Sequence, residues 1–161
     1  MKVAIPRSES RARSLAKAVS WRFVGTLDTL LLSFLILTFL APVFGYQDGA
    51  GPRDNLATAS YIAIAEVVTK TLLFFIHERV WARFRWAVWR DRHGRARDGL
   101  RRSSAKAASW RALASLDTTL LAFLFTGSVA TAVSIGGLEV ATKLVLYVAH
   151  ERLWARIPFG R

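Results

Sequence analysis

The sequence predicts an all-α integral membrane protein: four transmembrane helices, arranged as two tandem helical hairpins related by a pseudo-two-fold axis along the membrane normal. Three observations carry this expectation. First, the chain repeats itself. Arg13 to Thr29 reads RSLAKAVSWRFVGTLDT and Arg102 to Thr118 reads RSSAKAASWRALASLDT, while Glu66 to Arg83 reads EVVTKTLLFFIHERVWAR and Glu139 to Arg156 reads EVATKLVLYVAHERLWAR. A tandem repeat is two copies of one structural unit. Second, the 161 residues are 53% hydrophobic and yet carry a formal net charge of +12, a pairing foreign to soluble domains. Third, four apolar stretches approach the roughly 20 helical residues that cross a bilayer core of about 30 Å.

Taken in order, residues 1–12 form a basic arm and 13–83 the first two-helix repeat. Its spans run from Trp21 to Ala41 and from Ala57 to His77, joined by an outer loop containing Gly, Pro and Asp. Residues 84–101 form a basic linker, and 102–161 the second repeat, with spans from Ser109 to Phe125 and from Val129 to His150. The third span is short, and reaches adequate length if its helix starts near Ser104 with Lys106 and Arg111 extending back to the headgroups. The repeated blocks are offset by 89 residues on the first helices (Arg13 to Arg102) and by 73 on the second (Glu66 to Glu139). The outer loop absorbs the difference, since copy two turns on Thr126-Gly127-Ser128 alone.

Basic residues in short loops stay cytoplasmic. Lys2, Arg7, Arg11, Arg13 and Lys17 precede the first span, the linker region is dense in Arg, and the tail adds Arg152, Arg156 and Arg161. The opposite loop holds Arg53 beside Asp48 and Asp54. Both termini are therefore expected in the cytoplasm. All six tryptophans lie at the cytoplasmic ends of the spans, with Trp21, Trp81, Trp110 and Trp154 as interface anchors and Trp86 and Trp89 in the linker. Tyr46 is the main anchor on the outer side. A cleaved signal peptide does not account for the first span, which carries Asp28 and has a counterpart in mid-chain. Cysteine is absent, which excludes disulfides and thiolate metal sites.

The linker segment WARFRWAVWRDR reads as an interfacial helix whose basic face meets anionic lipid headgroups at the cytoplasmic surface. Positive-inside topology already explains its charge, so nucleic acid is not needed as a partner.

Six ionisable residues fall within the spans: Asp28, Glu66 and Lys70, and their counterparts Asp117, Glu139 and Lys143. Each costs about 2.5–3.5 kcal/mol at the bilayer centre, and all six on the order of 15–20 kcal/mol if they faced lipid separately. They must face one another or water. At about 100° per residue, Ala59, Ala63, Glu66, Lys70 and His77 share one face of the second helix, as do Ala132, Gly136, Glu139, Lys143 and His150 of the fourth. Small residues on that face let backbones approach closely. Counted within a copy, Asp28 and Glu66 balance Arg22 and Lys70, and Asp117 and Glu139 balance Arg111 and Lys143. That neutrality suits a salt-bridge network fixing hairpin register. The same groups suit a path in which the glutamates exchange protons or the lysines attract a small anion.

Each second helix ends in a cluster, His77-Glu78-Arg79 with Trp81 and His150-Glu151-Arg152 with Trp154. These are not zinc motifs, because no second histidine follows four residues on. His and Arg there complement the helix C-terminal dipole, and the histidines offer a pH-sensitive gate. No phosphate loop, nucleophile elbow or dinucleotide fingerprint is present, so the reading is not an enzyme, with no metal and no cofactor.

The units Lys17-x-x-Ser20-Trp21-Arg22, Leu27-Asp28-Thr29, Glu66-x-x-x-Lys70 and His77-Glu78-Arg79-x-Trp81, with their second-copy partners, resemble a family of small prokaryotic predicted membrane proteins whose domain has no known function. The resemblance covers nearly the whole chain twice, apart from the arm, outer loop and linker. It implies the membrane class and supplies no activity. The expected function is an oligomeric channel or transporter for protons or a small inorganic anion. The alternative is a non-catalytic accessory or assembly subunit of a larger membrane complex.

Overall fold

The structure, a computed structural model, describes residues 10–46, 51–84, 86, 88–90 and 96–159. Helix α1 spans Arg11–Leu35 and begins where Ser10 caps it, its Oγ accepting from Arg13 N at 3.2 Å. The helix does not end at Leu35. Ile36–Leu40 widens into a π turn, with Ala41 N–H reaching back to Ile36 O, and Ala41–Phe44 tightens into a 3₁₀ turn. Pro42 supplies the reason, because it has no N–H for the carbonyl four residues earlier. Gly45, at φ 76°, stops the run by donating to Ala41 O and Pro42 O.

Helix α2 covers Pro52–Arg83, with proline in its first turn where a missing N–H costs nothing. Helix α3 covers Leu100–Thr126 and ends on Gly127 at φ 65°, whose N–H bonds Phe123 O at 2.7 Å. Ser128 immediately caps α4, Val129–Arg156, through Thr131 N. A left-handed glycine followed by a serine cap thus reverses the chain in two residues.

The helices pack in a ring, each touching its neighbours in chain order and α1 closing onto α4. Helices α1 and α3 therefore lie across one diagonal, and α2 and α4 across the other. At the end of the bundle holding the α3–α4 turn, Ile36, Ile62, Ala122, Ala132 and Ile135 form a dry core. Leu37, Ala41 and Ala59 form a second cluster, against which Tyr46 packs. The outward faces are apolar: Leu31, Phe39, Leu72, Phe75, Leu116, Leu124, Val133 and Leu144 are all exposed.

Helix α1 with its continuation, α2 and α4 are each long and apolar enough to cross a membrane. Helix α3 is long enough, but its basic first half and Asp117 keep it less apolar than the other three. The described residues of the linker hold no interfacial helix of the kind expected there. Helix α2 ends at Arg83, Phe84 is extended, and strand β1 (Val88–Arg90) pairs antiparallel with β2 (Ala96–Asp98). Linker residues 91–95, with Arg92 and Arg95, and outer-loop residues 47–50, with Asp48, lie outside the described residues.

Candidate functional site

The site is built on the α2–α4 diagonal. Glu66 and Lys70 stand one turn apart on α2, as do Glu139 and Lys143 on α4, and both pairs point to the bundle axis. Buried Ala59, Ala63, Ala132 and Gly136 precede them. At Gly136 a β-carbon would run into Thr119 of α3, 3.4 Å from its Cα, so glycine admits the close approach.

Donors and acceptors in this tetrad can be counted. Lys70 Nζ donates to Thr118 Oγ1 at 2.8 Å, to Glu139 Oε1 at 3.1 Å and to Glu66 Oε1. Lys143 Nζ donates to Thr29 Oγ1 at 3.0 Å, to Glu66 Oε1 at 2.8 Å and to Glu139 Oε1. All three N–H groups of each ammonium are thus engaged. Each glutamate accepts twice through Oε1, while Oε2 of both is buried with no partner among the described residues. The tetrad is neutral and has spare acceptors without spare donors.

The aspartates lie outside this lock. Asp28 accepts from Thr142 Oγ1 at 3.0 Å and Asp117 from Thr69 Oγ1 at 2.8 Å, each threonine preceding a tetrad lysine. Each faces a lateral groove: about 370 Å³ beside Ala141, Val145 and Leu146, and about 430 Å³ beside Leu72, Leu113 and Leu116. Of the charge balance counted within a copy, Glu66–Lys70 and Glu139–Lys143 do pair, while Asp28 and Asp117 do not pair with Arg22 and Arg111. Arg22 has no acceptor among the described residues, and Arg111 reaches Val140 O at 3.2 Å instead of Asp117. Both arginines line an axial cavity of about 310 Å³, with Trp21, Trp110, Gly25 and Ala114 around it and Glu66, Lys70 and Lys143 also in its wall.

At the end of the bundle holding Ser10 and Phe159, the two copies lock onto each other. Lys17 pairs with Glu151 at 2.9 Å and Lys106 with Glu78 at 2.7 Å. His150 Nε2 meets Ser20 Oγ at 2.9 Å, and His77 Nε2 meets Ser109 Oγ at 2.9 Å. The Trp154 and Trp81 indoles donate to those same pairs. Trp21 packs edge-on against Tyr147 and His150, and Trp110 against Phe74 and tilted against His77. Arg79 stacks on Phe75, while Arg152 is exposed. Among the described residues no cluster of three or more His, Asp or Glu is placed to hold a metal.

Two contributors were not legible as such in the sequence. Arg13, 2% exposed, donates to Trp154 O, Ile157 O and Phe159 O and lies over the Trp154 ring. Arg102, 5% exposed, does the same to Trp81 O, Phe84 O and Trp86 O, over Trp81. Each guanidinium binds one last-turn carbonyl of a helix from the other copy and two carbonyls just beyond that helix. Their signal was the shared Arg-Ser-x-Ala-Lys at the start of each repeat. Thr29, Thr118, Thr69, Thr142, Ser20 and Ser109 likewise recur at equivalent positions.

No curated protein and no solved structure matches the chain. A family model described as "Predicted membrane protein (DUF2061)" matches residues 53–82 and 105–155, together half of the chain. Those segments contain the whole tetrad, Asp117, Ser109, His77 with Trp81 and His150 with Trp154, while Ser20 and Asp28 of α1 lie outside them. The chain belongs to this family of predicted membrane proteins, whose function is unknown.

Proposed function

We propose that this protein is a small polytopic protein of the prokaryotic cytoplasmic membrane, oligomeric in place, providing a polar path for protons or a small inorganic anion. In this reading all four helices span, the hairpins are related by a pseudo-two-fold along the membrane normal, and both termini are cytoplasmic. The exposed Leu, Phe and Val faces support burial in lipid, because so much outward apolar surface is untenable in water. Trp21, Trp81, Trp110 and Trp154 gather at one end of the bundle, as interface anchors do. Helix α3 completes the set because it is flanked by α2 and α4 along its length.

One observation carries the path: the axial cavity runs to a tetrad whose two carboxylates each keep a free, buried oxygen. With the ammoniums saturated, the groups able to take on a further partner are Glu66 and Glu139. That favours a proton at the tetrad itself. On the far side Ile62 and Ile135 close the axis, so conduction requires the core to part. Reconstituted protein should move protons or a small anion, and Glu66→Gln with Glu139→Gln, or Lys70→Met with Lys143→Met, should abolish that flux at unchanged protein levels. Unaltered flux in folded variants would sink the proposal.

A second reading is favoured by the same lock, which is neutral, closed by a dry core, and well suited to a static clamp. The protein is then an accessory or assembly subunit of a larger membrane complex. Native mass in mild detergent separates the two: a homo-oligomer supports transport, and stoichiometric co-migration with other subunits supports the accessory role.

A further inference from the structure

The axial vestibule holds positive charge that no carboxylate in the described residues pairs. Lys70 and Lys143 in its wall are saturated by the tetrad, but Arg22 and Arg111 are not. Guanidinium stays charged at every physiological pH and presents five donors in a fork suited to oxyanions. One fork comes from each copy, and both meet in the same cavity of about 310 Å³. Another wall group has the opposite need. Glu66, 6% exposed, has an oxygen with no donor. A fully deprotonated anion would serve the arginines and leave Glu66 facing negative charge. An ion with both charged oxygens and a hydroxyl serves all three.

We infer that the vestibule binds a hydrogen oxyanion of the phosphate type, its charged oxygens held by Arg22 and Arg111 and its hydroxyl donated to Glu66. The source is either inorganic phosphate or the phosphomonoester headgroup of a lipid. This names the anion for the path proposed above and rests on that reading of the cavity. Sulfate, of similar shape but without a proton at neutral pH, is the natural control.

The full chain in phosphatidylcholine nanodiscs is dialysed against radiolabelled orthophosphate at pH 7, with sulfate as competitor. Saturable binding is expected, with sulfate roughly 10- to 100-fold weaker, the fold-change for one unmet buried hydrogen bond. This comparison needs no substitution within the lock. Arg22→Gln with Arg111→Gln, both at exposed positions, should weaken binding by about tenfold or more. Retention of phosphatidic acid over phosphatidylglycerol, lost in the same double variant, would assign the lipid source. Equal competition by sulfate, binding indifferent to the arginines, or binding of neither phosphate nor phosphatidic acid would overturn the inference. Binding without any flux would leave it standing and refute only the path.

Discussion

The lysine lock makes a quantitative prediction through Lys143→Met. The substitution removes three hydrogen bonds, to Thr29, Glu66 and Glu139, and leaves two buried carboxylates sharing Lys70. Deleting one member of a buried ion network costs about 3–5 kcal/mol, mostly because its partner stays charged and unpaired. Adding Glu139→Gln removes that surplus and leaves Lys70 with Glu66, a balanced pair one turn apart. The double variant should then lie only about 1–2 kcal/mol below the parent, recovering about 2–3 kcal/mol of the loss caused by Lys143→Met alone. Titration with a denaturing detergent in mixed micelles, followed by fluorescence of the six tryptophans, reads the whole cycle. Single and double effects that add within about 0.5 kcal/mol would show that the two side chains do not share a charge network.

Two further substitutions test the packing. Arg13→Gln and Arg102→Gln should each destabilise by about 2–4 kcal/mol in the same assay, since each deletes charged bonds to three carbonyls at or just beyond a helix end. Arg13→Lys should fail to restore the loss, because a point charge cannot span three acceptors. Gly136→Ala should cost about 1–3 kcal/mol through collision with Thr119, and Thr119→Ala should relieve it. Gly25→Ala should be nearly neutral, since the nearest atom to its new β-carbon is Lys143 Cε at 4.0 Å and copy two already has Ala114 there.

The helices, their reversals and the Ala/Gly-Glu-Lys-His stripe were legible because each rests on local periodicity and hydropathy. What the stripe could not reveal was its neighbour. An angle around a helix names a face, so balancing Asp28 against Arg22 within one copy was arithmetic without geometry. In the folded chain Arg22 turns to the axis, Asp28 turns to a lateral groove, and a hydroxyl from the other copy is what Asp28 receives. The linker misled for a different reason. Its Phe, Arg and Trp residues alternate with the period of a strand from Phe84 to Trp86, and the backbone beyond them pairs as strands, Val88–Arg90 with Ala96–Asp98. Arg13 and Arg102 were hidden because each sits in a basic stretch that the positive-inside rule already explained.

The contacts between elements carry one further consequence for the repeat. Arg13, Lys17, Ser20, Asp28 and Thr29 of α1 all find their partners on or just beyond α4, and Arg102, Lys106, Ser109, Asp117 and Thr118 of α3 all find theirs on or just beyond α2. Apart from the Glu66–Lys70 and Glu139–Lys143 pairs, a single copy therefore contains both halves of these contacts but joins neither to itself. It follows that the second repeat alone, residues 99–161, should not be a stable monomer. Because it carries Arg102, Ser109, Asp117, Glu139, Lys143 and His150, two such chains can supply each other with every contact named above. It should assemble as a homodimer in which each Arg102 caps the partner's helix beyond Trp154. Native mass spectrometry of the fragment in mild detergent tests this, with Arg102→Gln expected to shift it towards dissociated, unfolded chain. A folded, stable monomer would show that the repeat closes on itself, and that pairing between copies is not what the duplicated motif encodes.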